Sequence, residues 1–558
     1  MKLSKFDIFS FVLILIISLF FVSELFLFNG LPAGFDSKTH ITTLMQFGQA
    51  LKSGDFPVVW LNNFGNYGLP VGITAHQLTN YFGAFITFFT LDPKLSYDIL
   101  ILISTIFTNI LFYIFLRQYF KPLACFLGVL IFCFTPYRIF TVYIRGALPE
   151  YFSSIFLPLI LLSLYIFILK KKFYGLILLT VFTAGLTLCH PMMLVVYSFL
   201  FLAYLVFLVL TSGIPKVKKL KIFLASLFGT FLGVLICSYY VLPLNLETKY
   251  LYYSQQIDHL VMGNFLSFAN YFVNRWDYFR ITEVFARGHI VQFGLLETFI
   301  LIFGLTFYIY EKKIKKSKEN FQLLGFVLVT SLLLIFFTTQ LSEIFYKHVF
   351  FLNSLQFPWR FLSALTFLPP IVAASLYNRF PKRRILICVV IAVCLFSFPQ
   401  IYGKNLTAYP ISSYNFSKEN LYSVTMNTIW SGRSEDYPTR KIQAEVIGGN
   451  GKIINQNLSN SSRKYTVDAK TALRLVDYTF YFPGWNVYVD NVKTNIEFQD
   501  PIYRGIITYR VPTGKHSIRV VFEDTKIRAI AKDLSILFSF IFIALFITKN
   551  YIKKYIFG

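Results

Sequence analysis

Acidic side chains are scarce in this chain of 558 residues. Asp and Glu together number 27, against 52 Lys and Arg, and the four charged types make up only 14% of the sequence. Hydrophobic residues account for 56% and aromatic residues for 19%. Ordinary soluble domains carry about a quarter of their residues as charged side chains. The composition therefore excludes a soluble globular protein and indicates an integral membrane protein.

Cysteine is rare as well, and its placement excludes two kinds of site. The six cysteines all lie in or beside apolar runs, and none lies in the polar segments; they are Cys125, Cys133, Cys189, Cys237, Cys388 and Cys394. This distribution indicates neither a disulfide framework nor a thiolate metal site. A divalent cation is left open, but no residue pattern points to one, and the cofactor is unknown at this stage.

Long apolar runs are what the sequence has in abundance. A helix that crosses a bilayer needs about 20 mostly apolar residues. A dozen such runs occur, centred near residues 18, 107, 131, 160, 181, 201, 232, 301, 329, 369, 393 and 540. The first, residues 8–28, is too long for a cleavable signal peptide and lacks its small-residue pattern. We expect a polytopic α-helical membrane protein with about 12 transmembrane helices.

The basic residues form short clusters between the apolar runs. The clusters occupy every second connection and comprise Lys2 with Lys5, Arg117 with Lys121, Lys170 to Lys172, Lys216 to Lys221, Lys312 to Lys318, Arg379 to Arg384 and Lys549 to Lys554. Cytoplasmic loops are enriched in Lys and Arg, so both termini are expected to be cytoplasmic and the protein multi-pass in the cell membrane. The basic residues do not form a continuous basic face, so the sequence does not point to nucleic acid as a partner. The bilayer itself is the expected partner.

With this topology, the long connections lie on the outer face. The first covers residues 29–97, and the last begins at residue 403 and alternates in the manner of β-strands from residue 440 onward, as in "KYTVDA" and "SIRVVFED". We therefore expect a transmembrane bundle at 1–402, an extracytoplasmic β-sandwich-like domain at 403–530, and a final transmembrane helix with a basic cytoplasmic tail at 531–558. Only the outer loops are long enough to build a site.

Charged and titratable residues gather at the outer ends of the runs. Ionised side chains near hydrocarbon cost roughly 2.5 to 3.5 kcal/mol each on insertion scales, so each invites an explanation. The set comprises Asp36, His40, Arg138, Arg145, Glu150, His190 and Arg360. All lie at about the same expected depth, and a bundle could bring them around one outward-facing cavity. His76 and His259 are interpreted as ordinary loop residues.

All of these residues except His40 also have a structural explanation. Ser37 or Asp36 is placed to cap a short surface helix that begins in "SKTHITTLMQF", and Glu150 follows Pro149 where a carboxylate stabilises a helix start. Arg138 and Arg145 fit snorkelling anchors to lipid headgroups, which is the favoured interpretation of Arg138. His190 fits a hydrogen-bonded break between helices. Arg360 lies among aromatic residues that fit an interfacial belt.

The same residues suit transfer of a sugar from a lipid phosphate. An acceptor hydroxyl must lose a proton as it attacks the anomeric carbon, and a carboxylate at the mouth of a cavity serves as the base. The departing phosphate needs positive charge, which Arg supplies through a planar fork that matches phosphate oxygens. Asp36 is the candidate catalytic residue. His40, Arg145, Glu150, His190 and Arg360 are the candidate substrate-binding residues, with no metal ligand.

Several motifs resemble a known group of membrane proteins. "GFDSKTH", "RGALPEYF", "LCHP" and "LQFPWRFL" resemble the bacterial 6-pyruvoyl-tetrahydropterin synthase-related membrane proteins, close to the YfhO-like membrane proteins, within the GT-C superfamily of membrane glycosyltransferases. The tail from "YFPGWNVYVDN" to "YRVPTGKHSIRVVFED" is similar to their outer β-domain. The name implies no pterin chemistry. Many GT-C members carry paired acids in the first loop, whereas Asp36 stands between Phe35 and Ser37.

The resemblance implies a GT-C-like bundle and an inverting glycosyltransferase in which Asp36 is the base. The implied donor is a polyprenyl-phosphate-linked sugar, and the implied acceptor is a glycan or lipid of the cell envelope. Two other classes remain open on sequence alone. One is a transporter or flippase of a lipid-linked saccharide, although such proteins usually show two related halves. The other is a catalytically inactive envelope protein that binds glycan.

Overall fold

The computed structural model describes most of the chain. It covers residues 4–557 except 29, 33–35, 63–66, 253–260, 262, 273–290, 316–320, 402–405, 408–409, 411–413, 415–426, 433–436 and 439. His259 of the sequence analysis lies outside the described residues. The described part is mostly helical, with a β-domain towards the C-terminus.

The helices follow the apolar runs of the sequence. They are α1 (Lys5–Leu27), α2 (Ser37–Lys52), α3 (Gln77–Thr90), α4 (Pro93–Leu116), α5 (Pro122–Cys133), α6 (Pro136–Ile139), α7 (Leu148–Ser153), α8 (Phe156–Ile168), α9 (Tyr174–Cys189), α10 (Pro191–Thr211), α11 (Lys216–Ile236), α12 (Ser238–Leu246), α13 (Leu295–Ile309), α14 (Gln322–Thr338), α15 (Glu343–His348), α16 (Phe350–Asn353), α17 (Leu362–Leu365), α18 (Leu368–Arg379), α19 (Arg383–Ile401), α20 (Lys526–Ile547) and α21 (Lys549–Phe557). Short 3₁₀ and π turns join several of them. One π turn, Phe140–Arg145, continues α6.

Fewer helices than expected are long and apolar enough to cross a membrane by themselves. In the described part of the chain seven helical stretches pass this test, two of which, Leu148–Ile168 and Pro358–Arg379, join neighbouring elements. The number is eight if the bent pair α5 and α6 with its π turn is one span. The pair bends by 47° at Phe134 and Thr135, where Pro136 begins the next segment. The count of about 12 spans is not confirmed. Several other predicted runs form apolar helices of 15 to 17 residues, such as α9, α13 and α14.

Helix starts in the bundle follow their local sequence. Ser4 and Asp7 form a capping box at α1, in which each side chain accepts a hydrogen bond from the backbone of the other. Asp92 caps α4 by accepting from the backbone N–H groups of Lys94 and Leu95. Asp36 occupies the N-cap position of α2, as expected, yet its side chain makes no capping hydrogen bond to the described backbone. Its carboxylate is therefore available for another partner.

The C-terminal domain consists of two antiparallel sheets. The strands outside the short pair β1 (Leu31–Pro32) and β2 (Leu406–Thr407) are β3 (Ala444–Gly448), β4 (Gly451–Leu458), β5 (Ser462–Ala469), β6 (Leu473–Phe480), β7 (Trp485–Val489), β8 (Val492–Thr494), β9 (Ile506–Val511) and β10 (Gly514–Phe522). One sheet has the order β4-β5-β10-β7-β8 and the other β3-β6-β9. Alternate residues of β5 are buried, as expected for a sheet with one face in a core. The last apolar helix, α20, begins at Lys526, earlier than the sequence indicates.

The loop between α2 and α3 belongs to the core of the β-domain. Trp60 packs edge-to-face on Trp485 with ring centroids 5.1 Å apart, and Tyr67 stacks on Phe480 at 4.9 Å. Arg463 of β5 donates to the side chain of Asn62 at 2.6 Å. The loop is thus held by the β-domain, while the helices at its two ends pack in the bundle. Asp36 lies at the start of the first of these helices, α2, and His76 lies at the start of the second, α3.

Candidate active site

Asp36 meets the loop between the π turn and α7 through both its backbone and its side chain. Its N–H donates to the carbonyl of Arg145 at 2.9 Å, and its Oδ2 lies 3.1 Å from Arg145 Nε. The side chain of Asp36 is 19% exposed, whereas that of Arg145 is 8% exposed. The carboxylate of Asp36 is therefore partly exposed, whereas the guanidinium that it contacts is buried.

Gly146 explains why this loop approaches α2 so closely. Its φ of +69° lies in the left-handed region, and a Cβ there would come within 2.6 Å of Ser37 Cβ. The carbonyl of Gly146 accepts from the hydroxyl of Tyr97 at 3.1 Å, and the N–H of Ala147 donates to Thr141 across the π turn. The "RGALPE" motif thus folds into a tight turn, because only glycine fits against the start of α2.

Glu150 joins two arginines. Its Oε2 lies 2.5 Å from Arg145 Nη1 and 3.4 Å from Arg360 Nε, and its Oε1 accepts from the hydroxyl of Tyr137 at 2.5 Å. The side chain is 2% exposed. Glu150 lies in the first turn of α7, as the helix-capping explanation required, but its carboxylate is committed to these partners. It links residues from two distant parts of the chain.

Arg360 reaches the cluster from a 3₁₀ turn, Pro358–Phe361. Its Nη1 donates to the carbonyl of Leu355 at 2.8 Å and to the sulfur of Met192. The aromatic side chains around it cover the guanidinium groups: Phe357 lies 5.2 Å from that of Arg360, and Trp359 lies 5.1 Å from that of Arg145. Trp359 is buried, so the "LQFPWRFL" motif forms one wall of the site instead of an interfacial belt.

Three histidines line the site beside the charged cluster. The rings of His76 and His190 have centroids 4.3 Å apart, and those of His40 and His76 are 6.2 Å apart. His190 lies at the break between α9 and α10, as the sequence indicates. In both His76 and His190 the buried Nδ1 has no hydrogen-bond partner in the described part of the chain. Such atoms commonly mark a place where a ligand or water completes the site.

The electrostatics differ between Asp36 and the histidines. Burial raises the pKa of Asp36 above the ordinary value of 3.8, although Arg145 and Arg360 oppose that rise. Burial lowers the pKa of His40 to about 3 and that of His76 to about 3. The two histidines are therefore uncharged at neutral pH. They can donate and accept hydrogen bonds, whereas the charge of the site comes from the arginines and carboxylates.

Two interpretations of the sequence are corrected by the structure. His76 is not an ordinary loop residue, because it stacks on His190 inside the site. A usable signal was its position at the end of the same outer loop that begins with Asp36. Arg138 does not snorkel to lipid headgroups: it is 4% exposed and lies over the rings of Phe132 and Tyr151. Arg138 lies on the bent segment that leads to Arg145, and its side chain is buried in the bundle.

The structure brings Asp36, His40, Arg145, Glu150, His190 and Arg360 into one connected neighbourhood. Within the described residues no group of three or more His, Cys, Asp and Glu side chains is arranged to hold a metal ion. The arrangement combines a partly exposed carboxylate, two guanidiniums that share a second carboxylate, and uncharged imidazoles. Asp36 can accept a proton, and the buried guanidiniums of Arg145 and Arg360 can stabilise an anion.

A solved glycosyltransferase structure aligns weakly with this chain. The cryo-EM structure of arabinofuranosyltransferase AftD from Mycobacteria gives a TM-score of 0.42 at 11% identity. The alignment covers 72% of this chain and 27% of that one, so this chain spans about a quarter of that protein. No curated protein matches the sequence.

A family model matches more than half of the chain. The model describes a 6-pyruvoyl-tetrahydropterin synthase related domain in membrane proteins, and it covers residues 77–406. That range contains Arg145, Glu150, His190 and Arg360, and it stops before the β-domain strands. The resemblance inferred from the sequence motifs is confirmed at this level. The chain therefore belongs to the family of 6-pyruvoyl-tetrahydropterin synthase-related membrane proteins.

Proposed function

We propose that this protein is a membrane glycosyltransferase of the GT-C type. It transfers a sugar from a polyprenyl-phosphate donor to an acceptor of the cell envelope, on the outer face of the membrane, with inversion at the anomeric carbon. The observation that carries the proposal is that one partly exposed carboxylate, Asp36, lies in a cluster with the buried guanidiniums of Arg145 and Arg360. Asp36 contacts Arg145, and Glu150 joins Arg145 to Arg360. The cluster therefore combines residues from three separate segments of the chain.

Asp36 acts as the general base. The acceptor hydroxyl attacks the anomeric carbon and forms the new C–O bond, while Asp36 takes its proton. The bond from the anomeric carbon to the phosphate oxygen breaks at the same time, and its electron pair stays with the phosphate. A base with a raised pKa holds the proton more firmly than an ordinary aspartate. The burial that raises the pKa of Asp36 thus suits this role.

Arg145 and Arg360 stabilise the leaving phosphate. In the unliganded protein, Arg145 is shared between Asp36 and Glu150, and Arg360 faces Glu150. The donor phosphate competes for the Nε of Arg145 and releases Asp36 from its ion pair. Glu150 stays behind and holds the two guanidiniums towards the incoming anion. The positive charge is thereby oriented before the reaction, which is where electrostatic catalysis gains most.

The three histidines bind uncharged parts of the substrates. Sugar hydroxyls donate and accept hydrogen bonds, and a neutral imidazole can do both. His40 and His190 were expected as substrate-binding residues, and His76 lies between them. Such hydroxyls bind at the Nδ1 atoms of His76 and His190, which have no hydrogen-bond partner among the described residues. In this proposal the neutral histidines recognise the sugar, and the arginines beside them recognise the phosphate.

The expected topology supports chemistry on the outer face. The basic clusters indicate cytoplasmic termini, and the loop that follows α1 is then on the outside. The β-domain shares its core with that loop through Trp60 and Tyr67. In this proposal the β-domain lies beside the path by which a water-side acceptor reaches Asp36, while the donor arrives through the bilayer.

Substitution of Asp36 by Asn tests the proposal. Purified protein in vesicles is supplied with a panel of radiolabelled undecaprenyl-phosphate sugars and with envelope material from cells lacking the protein. We expect the wild type to form a labelled covalent product and Asp36→Asn to form it about 10² to 10⁴ times more slowly. Passage of unchanged donor lipid across the vesicle would indicate a flippase instead.

Asp55→Asn is the matched control for this assay. Asp55 lies in the same outer loop, but its carboxylate accepts hydrogen bonds from Asn460 and Ser461 of the β-domain. Its loss should leave the transfer rate per folded molecule within about twofold of the wild type. If Asp36→Asn transferred sugar as fast as Asp55→Asn, Asp36 would not be the base.

A further inference from the structure

Arg138 is a buried cation without a carboxylate partner among the described residues. It is 4% exposed, and its Nη2 donates to the hydroxyl of Tyr151 at 2.7 Å. Its Nε and Nη1 are buried and have no hydrogen-bond partner in the described part of the chain. The rings of Phe132, Tyr151 and Phe21 lie 4.3, 4.7 and 5.9 Å from the guanidinium carbon. These rings attract a cation, but they do not neutralise it.

A small cavity adjoins this guanidinium. Its volume is about 20 Å³, and its lining includes Arg138, Thr141, Glu150, Ser154 and Thr366. About 10 to 15 Å³ is enough to hold one water-sized species, so the cavity accommodates one such species and no whole phosphate group. Glu150, a member of the charged cluster, forms part of its wall.

Among the polar side chains of the cavity wall, Arg138 has hydrogen-bond donors without an acceptor in the described part of the chain. The hydroxyls of Thr141, Ser154 and Thr366 donate to nearby backbone carbonyls, three or four residues earlier in the chain. Both carboxylate oxygens of Glu150 are engaged by Tyr137 and the other two arginines. An occupant that accepts hydrogen bonds would therefore satisfy the guanidinium of Arg138, whose Nε and Nη1 have no partner among the described residues.

The net charge of the cluster indicates the charge of the occupant. Among the described residues of the cluster, Asp36 and Glu150 supply two negative charges, while Arg138, Arg145 and Arg360 supply three positive ones. A buried charge left uncompensated is strongly destabilising. One negative charge restores neutrality.

We propose that Arg138 and the cavity that it lines together with Glu150 form a binding site for one anionic atom. Two sources share this chemistry: a chloride ion from solution, or a single phosphate oxygen of a polyprenyl phosphate that reaches down from the cluster. The chloride source is independent of the proposed function, whereas the lipid source rests on it. In either case Arg138 gives the site the net charge that draws an anion into the bundle.

The first arm of the test measures thermal unfolding of the purified protein in chloride-free buffer. Sodium chloride, sodium bromide and sodium isethionate are added at equal ionic strength, isethionate being too large for the cavity. We expect a saturable rise in Tm of about 2 °C or more with chloride and bromide only. Arg138→Gln should lose this dependence. Arg440→Gln, which removes a positive charge outside the bundle, should keep it.

The second arm measures binding of undecaprenyl phosphate and of undecaprenol, which lacks the phosphate. If a lipid phosphate oxygen is the occupant, the phosphate raises affinity in the wild type. Arg138→Gln then loses roughly tenfold of that gain or more, because one charge-assisted contact is removed. Binding is measured without an acceptor, so it does not depend on sugar transfer. Failure of this proposal is thereby distinct from failure of the proposed function.

The wild type alone decides the question if Arg138→Gln does not fold. Bromide-soaked crystals would then show an anomalous peak beside the guanidinium of Arg138, or undecaprenyl phosphate would stabilise the protein more than undecaprenol. If neither halide nor lipid phosphate stabilised the wild type beyond its control, the site would hold water only and the proposal would be overturned. An equal halide effect in wild type and Arg138→Gln would overturn it as well.

Discussion

Two buried arginine–carboxylate clusters in this protein are built differently. In the first, Glu247 and Arg528 join the end of α12 to the start of α20. Both oxygens of Glu247 accept from Arg528 Nε, at 3.1 and 3.3 Å. Arg528 also donates to the carbonyls of Pro483 and Glu523, and Thr525 donates to Glu247 at 2.6 Å. Each side-chain nitrogen of Arg528 thus has an acceptor.

The candidate active site is the second cluster, and it is left incomplete. Arg145 divides its guanidinium between Asp36 and Glu150, and two nitrogens of Arg138 find no acceptor among the described residues. Buried polar atoms without partners are costly, so stable cores avoid them and ligand sites tolerate them. The Glu247 cluster is thus fully paired and has the form of a structural clasp, whereas the Asp36 cluster has the unpaired donors that the proposed substrate site requires.

The largest effect on stability is expected from breaking the clasp. Glu247→Gln leaves Arg528 buried without its carboxylate, and removing one member of a buried pair costs about 3–5 kcal/mol in free energy of unfolding. The measurement is thermal or denaturant unfolding in detergent, with sugar transfer per folded molecule as a second readout that should not change. Glu445→Gln, at an exposed carboxylate that accepts from Tyr478, is the matched control.

A change of stability below about 1 kcal/mol in Glu247→Gln would remove the proposed difference between the clusters, because such a value is typical of exposed ion pairs. It would mean that the final helix is held by its apolar surface and not by this ion pair.

Gly146→Ala should have the next largest effect, and it should affect both stability and activity. The left-handed backbone costs a non-glycine residue about 1–3 kcal/mol, and the new Cβ would meet Ser37 at 2.6 Å. The start of α2 must then shift, which moves Asp36 away from Arg145. Gly54→Ala is the control, because Gly54 also has a positive φ, of +87°, but a Cβ added there would meet no described atom within 4 Å.

The two variants separate backbone strain from displacement of Asp36. We expect both to lose stability, and only Gly146→Ala to lose sugar transfer. Equal transfer rates would show that the turn does not position Asp36.

Acidification should destabilise the active-site region through its neutral histidines. The pKa of His40 and of His76 is about 3 in the folded protein, against 6.5 ordinarily. Between these values the unfolded chain binds more protons, so stability falls as the pH drops from 6.5, by up to about 1.4 kcal/mol per pH unit for each histidine. Unfolding midpoints of wild type and of the combined His40→Gln and His76→Gln variant, measured from pH 7 to pH 4, test this.

The partly buried His516 of the β-domain provides the contrasting control. Its hydrogen bond to Asp490 raises its pKa, so its stabilising contribution is present at low pH and is lost as the pH rises through that pKa. His516→Gln should not flatten the acid slope. If the double variant were as acid-sensitive as the wild type, the two buried histidines would not be the cause.

The smallest effect on stability is expected from Asp36→Asn. Because burial raises the pKa of Asp36, its ionised form at pH 7 is disfavoured by the fold, and an uncharged amide relieves that cost. The free energy of unfolding should stay the same or rise by less than about 1 kcal/mol, while transfer is lost. A fall as large as that of Glu247→Gln would place Asp36 with the structural clasp.

The strands and the family could be predicted from the sequence because both depend on local patterns. The alternating segments "KYTVDA" and "WNVYVD" coincide with β5 and β7, since a strand with one buried face shows a period of two whatever its neighbours are. The order of the sheet could not be predicted in this way. The placement of β10 between β5 and β7 depends on contacts between distant strands.

The number of spans could not be predicted from the apolar runs, for a physical reason. An apolar run shows only that a segment is buried in lipid or protein, and it does not show how long a straight helix will be. The run near residue 131 bends at Pro136 and ends in a π turn, and α9 and α14 are shorter than the helices that pass as spans by themselves. The missed role of His76 has a similar origin, because a lone loop histidine carries no periodic signal.

By itself the sequence determined that this chain is a membrane protein, that a β-domain precedes its last helix, and that charge collects at the ends of apolar runs. Composition and periodicity are properties of short stretches, because contact with water or with lipid favours polar or apolar residues at each position. Only the tertiary structure decided that Asp36, Arg145, Glu150 and Arg360 form ion pairs, that His76 joins them, and that Arg138 has no counter-ion among the described residues. Those outcomes depend on how a bent helix, a glycine turn and a loop held by the β-domain pack together, and no local pattern records that packing.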